Sequence, residues 1–472
     1  MAGLTIFVER RTLVMLALGF SSGLPFLLIF DTLSVWLRAT GLSLEAIGFF
    51  SLVTLVYSVK FLWAPPLDRA AVPVLTAWLG HRRSWMLVCQ GAIMLGLWLV
   101  SVTDPVASLR TVTVLALLIG FFSATQDIAV DAWRIEAAEM SRQGAMAAAY
   151  QWGYRTAMLV AGAVPLLLAG RYGWNVSYAV MAALMSVGVL AVLAAPREAE
   201  RATRPVHGPH FPAAFVDPWR DFFARYGSAA ALILALVCVY RLSELVRNIM
   251  NPFYLDLGFT LAQIAEVRKI FGVIMTMLGV LAGGLAVARF GILRALAAGA
   301  VFGPFSSLVF AWLATQGDDL AALVIATAIE NVGAGFAGTC LIAYMSSLTS
   351  GSFTATQYAF FSSLYALPGR LLASQSGRIV EGAAGAAQAG GVLSRLERLF
   401  VDLPPGSFVS GVRPAALGAG YVVFFLYSAL LGMLGIALAF ALLRRHTREQ
   451  ELAQPGRVSV PCDSSNRPRR RR

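Results

Sequence analysis

Apolar residues run through most of this chain in near-continuous stretches of about twenty, parted by short segments rich in arginine, glycine and proline. A helix needs about 20 such residues to cross a hydrocarbon core about 30 Å thick. Backbone amides find no water at that depth, so helices and closed barrels are the only spanning forms. The period-two alternation of barrel strands is absent. The pattern therefore predicts an all-α membrane protein with twelve spanning helices, near 12–37, 44–64, 84–102, 109–134, 144–169, 174–195, 228–255, 261–287, 292–315, 320–348, 354–381 and 415–443. A polar segment, 196–227, carries Pro196, Pro205, Pro209, Pro212 and Pro218 and divides an N-terminal half (1–195) from a C-terminal half (228–443). Within the second half, 382–414 reads as an outer insertion, whose run Val392, Leu393, Leu396, Leu399 and Phe400 is expected on the outer interface. The basic tail 444–472 is expected to lack fixed structure.

An internal repeat supports two matched halves. Gly41-Leu42-Ser43-Leu44-Glu45-Ala46-Ile47-Gly48 is echoed by Gly258-Phe259-Thr260-Leu261-Ala262-Gln263-Ile264-Ala265, each at the outer turn before the second helix of its half. Ser43 and Thr260 suit helix N-caps, and Gln263 completes a capping box with Thr260. At nearly the same offset, Gly153-Tyr154-Arg155 is echoed by Pro368-Gly369-Arg370. Six-helix halves repeated in parallel about the membrane normal are a secondary-transporter architecture.

Charge sharpens this picture. Only 13% of the 472 residues are charged, against about 25% in a soluble domain. The net charge of +12 sits in short loops and in the tail Arg467 to Arg472, a distribution that matches loops near anionic lipid and argues against nucleic acid. Counting Lys and Arg places both termini inside: Arg10, Arg11, Arg69, Arg82, Arg83, Arg142 and the linker arginines fall on one side. The N-terminal apolar run continues to Leu37 without a small-residue cleavage site and reads as the first span rather than a signal peptide. The four cysteines form no CxxC pair and the four histidines lie in loops or the tail, so no zinc site, metal or cofactor is expected.

An ionisable group in hydrocarbon costs at least about 2.5 kcal/mol, so each needs a partner, a wet cavity or a route to the interface. The fourth helix carries Gln126, Asp127, Asp131 and Arg134, with the last three on one face. Two carboxylates beside a guanidinium can exchange a proton, or can be a structural ion pair near the helix end. Arg241, Glu244, Asn248 and Asn251 draw a polar stripe down the seventh helix, too deep for snorkelling, with Arg247 beside them. Other cations and amides at depth are Arg155 with Gln151, Lys269 with Arg268, Glu330 with Asn331, and Arg370. Lys60 reads as snorkelling from an inner helix end, and Asp31 as facing the outer mouth. The surplus of cations suggests an anionic solute. Asp68-Arg69 and Gly80-His81-Arg82-Arg83, in the inner loop between the second and third helices, can ion-pair with neighbouring helix ends and close that side. Gly284, Arg289, Gly291 and Arg294 are a worn copy.

These blocks resemble the AmpG anhydromuropeptide permeases of the major facilitator superfamily. The resemblance rests on Gly19-Phe20-Ser21-Ser22-Gly23-Leu24-Pro25, Ile47 to Val53, Lys60-Phe61-Leu62-Trp63-Ala64-Pro65 with Asp68-Arg69, and Ala124-Thr125-Gln126-Asp127-Ile128 with Asp131-Ala132-Trp133. Gly153-Tyr154-Arg155, Glu330-Asn331 and Ser352 to Tyr358 extend it over roughly 10–380. It implies a major facilitator fold and proton symport of anhydro-muropeptides, sugar–peptides from cell-wall turnover, across the inner membrane for peptidoglycan recycling, by a monomer among membrane lipids. Arg241-x-x-Glu244 stands where the family resembles Lys-x-x-Asp, and the insertion and Arg-rich tail depart from its pattern.

Asp131, Asp127 and Glu244 are the expected proton-coupling groups, and Arg155, Arg241, Lys269, Arg370, Gln126, Asn331 and Gln357 the expected substrate contacts. Asp68, Arg69, Arg82 and Arg83 are the expected gate. Two alternatives stand beside this reading: an importer of another anionic solute, as in the acetyl-CoA-transporter branch, and a non-transporting sensor. An intramembrane enzyme is disfavoured, since no histidine and no HExxH lies at depth, and Gly19-Phe20-Ser21-Ser22-Gly23, although it has GxSxG spacing, has no histidine there to act as its base.

Overall fold

The computed structural model of the chain describes residues 9–40, 56–57, 59–105, 107–197, 211–373, 375–400 and 413–453. Among these, ten helices are long and apolar enough to cross a membrane. The predicted second helix, 44–64, falls largely outside the described residues. The eleventh is made of Thr354–Ala373 and Ser376–Gln388.

The strongest packing in each half is made by glycines that let backbones touch. A Cβ on Gly19 of the first helix would strike the carbonyl oxygen of Tyr150 on the fifth, and one on Gly153 would strike that of Leu16. In the C-terminal half, Gly279 and Gly335 do the same between the eighth and tenth helices. Between the halves, Gly144 of the fifth helix abuts Val287 and the carbonyl of Gly284 on the eighth. Without hydrophobic drive between helices in lipid, such small-residue contacts supply much of the association. Gly153→Val is expected to cost about 1–3 kcal/mol or more through overpacking, read as a lower unfolding midpoint in detergent. Gly170→Ala, where an added Cβ meets nothing within 4 Å, is expected to leave that midpoint in place.

Three charged helices depart from regular α geometry. The first contains Pro25 and, just beyond it, a π-helical turn at Leu28–Thr32. The eighth opens with the turn Leu261–Ile264 and passes into a π-helical stretch, Ala265–Phe271, that carries Arg268 and Lys269. The seventh was expected as one helix over 228–255; instead Ala230–Val239 is followed by a non-helical Arg241 and a 3₁₀ stretch, Leu242–Ile249, before Met250–Asp256. In 3₁₀ geometry residues three apart eclipse, and Arg241 and Glu244 accordingly pair at 2.5 Å. Irregular turns at membrane depth are tolerated where the freed backbone is buried in protein or lines a cavity.

The predicted capping box forms: Thr260 N–H donates to Gln263 Oε1 (2.9 Å) and Gln263 N–H to Thr260 Oγ1 (3.3 Å). Polar segments proved more structured than their composition suggests. The linker holds a helix, Phe211–Tyr226, whose Phe222 is fully buried. The last span runs on as one helix, Pro414–Ala453, so the first ten tail residues are helical. In the insertion, Leu393–Leu399 is a 3₁₀ turn, and Phe400 is buried in the C-terminal core while Val392 and Leu399 stay exposed. One end of the bundle gathers the start of the first helix, the end of the sixth, the linker helix and the end of the twelfth, joined by Arg10 to the Ala194 carbonyl and Arg445 to Ser228. It is called the linker end below.

Candidate functional site

The fourth helix is buried along its whole second half, from Ser123 to Arg134. Gln126 donates to Ser21 Oγ (3.0 Å) and Ser22 Oγ (3.4 Å) of the first helix, while Gln90 of the third reaches Ser21. Gln126, expected as a substrate contact, is thus a tie between helices. The next residue, Asp127, keeps one carboxylate oxygen buried with no hydrogen-bond partner among the described residues. Lys60, expected to snorkel, lies close enough for its charge to act on both Asp127 and Asp131. Its 3₁₀ turn, Lys60–Leu62, is anchored because Trp63 Nε1 donates to Thr125 Oγ1 at 3.0 Å. Tyr150, Tyr154 and Tyr358 complete the surroundings of the two carboxylates.

Asp131 is paired differently. Arg134, fully buried, donates to Asp131 at 3.3 Å and to Ser346 Oγ of the tenth helix at 2.8 Å, with its guanidinium 5.1 Å from the centroid of Tyr358. The carboxylate of one half is therefore linked through one arginine to the other half.

Across the interface, Gln151 of the fifth helix donates to Thr339 Oγ1 (2.8 Å) and Trp152 Nε1 to the Met277 carbonyl (2.9 Å). Arg241 lies beside this contact: a Cβ on Gly338 would meet both Gln151 and Arg241. The Arg241–Glu244 pair keeps 21% side-chain exposure on each partner and has Tyr365 under the guanidinium, so it borders open space. Glu244 and Glu330 both line a small cavity, with Ser243 and Ser306. Arg155 is half-buried, four residues beyond Gln151. Asn331 donates to the Thr327 carbonyl and accepts from Thr276 Oγ1 at 2.8 Å, which joins the eighth and tenth helices rather than facing a solute. The side chains of Asp31, Arg247, Asn248, Asn251, Lys269 and Arg370 lie outside the described residues.

The linker end carries a dense polar cluster that ties the loop between the second and third helices to the eleventh helix. Asp68 accepts from Arg82 (2.6 Å), from the Thr356 N–H and hydroxyl (2.8 and 2.7 Å) and from the Ala355 N–H (3.2 Å). It thereby caps the first turn of the eleventh helix, where exposed N–H groups and the helix dipole favour an anion. Arg82, 1% exposed, also binds Glu136 at 2.9 Å and the Leu67 carbonyl. Gly80, at φ 95°, supplies the turn that delivers it. Burial acts to raise the Asp68 carboxyl, but the Arg82 charge and the Thr356 hydrogen bonds outweigh it and hold the group below its ordinary value. Arg69 pairs with Asp217 of the linker helix at 3.3 Å.

Arg83 does not join this gate. It donates to the carbonyls of Val192 and Leu193, bracing the end of the sixth helix within its own half. Gln357, expected to contact substrate, instead donates to the Pro218 carbonyl and Asp221 and accepts from Arg225 and the Ser350 N–H. It is a bolt between the eleventh helix and the linker. Lys60, Glu136, Ser346 and the linker residues Asp217, Asp221 and Arg225 were not foreseen as partners. Apart from the Asp221–Arg225 pair, four residues apart on the linker helix, each sits at a sequence distance from its partner that no local spacing reveals.

Ten apolar spans among the described residues, helices broken at charged positions and a buried charge cluster linking the fourth helix to the tenth fit a multi-pass membrane transporter. The comparisons agree. The family model described as Major Facilitator Superfamily matches residues 70–373. The anhydromuropeptide permease of Escherichia coli K12 is 35% identical over 367 residues, covering 77% of this chain and 73% of its own. A Rickettsia felis protein named as a transporter of the AmpG series is 34% identical over 383 residues, 79% of this chain and 91% of its own. The crystal structure of the human organic anion transporter MFSD10 superposes with a TM-score of 0.58 at 15% identity, covering 92% of this chain and 98% of that one, which speaks for the fold alone. The chain belongs to the AmpG family of the major facilitator superfamily and is a permease rather than an enzyme.

Proposed function

We propose that this permease imports anhydro-muropeptides by proton symport across the inner membrane, as a monomer with its linker end and both termini in the cytoplasm. The relatives' name supports the substrate class, and the Lys/Arg-rich linker end supports the orientation. In this reading the polar cluster closes the linker end in the state that loads from outside. Asp131 and Asp127 carry the proton, and Glu244 titrates with them in the other half. Arg155 and Arg241 receive substrate carboxylates, joined by Lys269 and Arg370. Asp68, Arg69 and Arg82 hold the seal.

The single observation that carries the coupling is the chain Asp131–Arg134–Ser346. When the halves part at the linker end, Arg134 loses Ser346, and the partner set of Asp131 changes in the same motion. A proton affinity that differs between two conformations is what couples a gradient to alternating access. The test is uptake of labelled anhydro-muropeptide into proteoliposomes under an imposed pH gradient. Energised accumulation, competed by unlabelled muropeptide and not by acetyl-CoA, is the expected result. Product formation, or binding without accumulation, defeats the proposal. Arg241→Gln is expected to raise KM for muropeptide by about tenfold, since a charge-assisted hydrogen bond contributes about 1.5–3 kcal/mol, with KM read from initial uptake rates.

A further inference from the structure

A second hollow lies away from the route just described. It opens at the linker end of the C-terminal half, where the eighth, tenth and twelfth helices end and the seventh and ninth begin, and encloses about 700 Å³. Three basic residues line it, Arg294, Arg445 and His446, and among the described residues no carboxylate does. Arg294 is exposed, and Arg445 is steadied by a hydrogen bond to Ser228 Oγ at 3.1 Å. Most of the remaining wall is apolar, and Phe290, 56% exposed, extends that wall outward beside Leu293.

We propose that this hollow is a binding site for an anionic phospholipid, with the headgroup phosphate between Arg294 and Arg445 and an acyl chain along Phe290 and Leu293. Basic pockets between spanning helices near an anionic leaflet collect such headgroups. A small soluble anion would match the basic rim but leave the apolar wall in water. The chain's own C-terminal segment is a poor occupant, because Arg457, Arg467 and Arg469 to Arg472 repeat the charge of the rim. The site also touches the seal. Val287 lines the hollow and faces Gly144 of the other half, and Leu348, also in its wall, offers its carbonyl to Arg225 of the linker helix. A bound lipid therefore braces the walls that hold the linker end shut. The proposal stands on this geometry and holds whatever solute the permease carries.

The test is native mass spectrometry and thermal unfolding of the full chain in detergent, titrated with phosphatidylglycerol, phosphatidylcholine or soluble glycerol 3-phosphate. Phosphatidylglycerol is expected to remain bound and raise the unfolding midpoint, with phosphatidylcholine weaker. Arg294→Gln and Arg445→Gln are each expected to weaken phosphatidylglycerol binding about fivefold, the share of one arginine near a headgroup. Their unfolding midpoints in phosphatidylcholine should match the wild type. Equal retention of both lipids, or unchanged binding in both variants, overturns the proposal. Displacement of the lipid by glycerol 3-phosphate at similar concentration also overturns it, in favour of a soluble anion. If Arg445→Gln fails to fold, the exposed Arg294→Gln decides alone.

Discussion

Asp131→Asn is expected to abolish accumulation driven by a pH gradient while leaving counterflow of unlabelled for labelled solute intact. A gradient of one pH unit supplies about 1.4 kcal/mol per proton, which supports about tenfold accumulation for one proton per solute. The variant should fall from that ratio to equality. The reason lies in how the carboxylate is held. Arg134 joins Asp131 to Ser346 of the opposite half, so proton affinity and the state of the seal move together. Asparagine keeps the size and the hydrogen bonding but cannot carry the proton. Exchange needs only the alternation of the halves, and so survives. Accumulation and counterflow measured on the same vesicles check this; a variant that still accumulates would remove Asp131 from the coupling step. Asp127→Asn should show a similar but separable defect, since its buried oxygen lies one turn deeper and has no arginine partner among the described residues.

Arg82→Ala is expected to be the most damaging single change at the linker end. Arg82 is 1% exposed and holds Asp68, 2% exposed, together with Glu136. Removing one member of such a buried pair costs about 3–5 kcal/mol, because the remaining charge stays in a poor dielectric. The loss should appear as a lowered unfolding midpoint, and as faster labelling of Ser346→Cys from the linker end when the seal loosens. Lysine should not rescue the variant, because a single ammonium cannot reproduce the fork that reaches Asp68, Glu136 and the Leu67 carbonyl. Arg83→Ala, whose partners are carbonyls of its own half, is expected to spare the seal. The folded-state value of Asp68 lies below its unfolded one. Its stabilisation is therefore fully present above the unfolded value, about 3.9, and disappears as pH falls through the lower folded value. The seal should hold at neutral and mildly acid pH.

The identity of the pairing residues separates what local chemistry encodes from what the fold adds. Gln126 and Gln357 attract notice in the sequence as polar groups in or near spans, and both turn out to be committed to neighbouring helices. Lys60 looks dispensable near a helix end, yet its charge acts on the two carboxylates of the fourth helix. The seventh helix reads as one span because its length and overall apolar character suffice for crossing, and it breaks at Arg241, where the Arg241–Glu244 pair sits at a turn leading into a 3₁₀ stretch. Hydropathy reports transfer energy per residue and is blind to such a pairing.

Hydropathy, turn chemistry and short motifs were enough to read the number of halves, most of the spans described here, the capping box at Thr260 and Gln263, and the family. These follow from transfer of side chains to lipid and from hydrogen bonds within one helical turn, both local quantities. Only the tertiary structure decided which charges meet. Asp68 caps a helix 288 residues away, and Arg134 crosses 212 residues to Ser346. The energy of a buried ion depends on the few ångströms around it, and those neighbours are chosen by how the helices pack, which no spacing along the chain records.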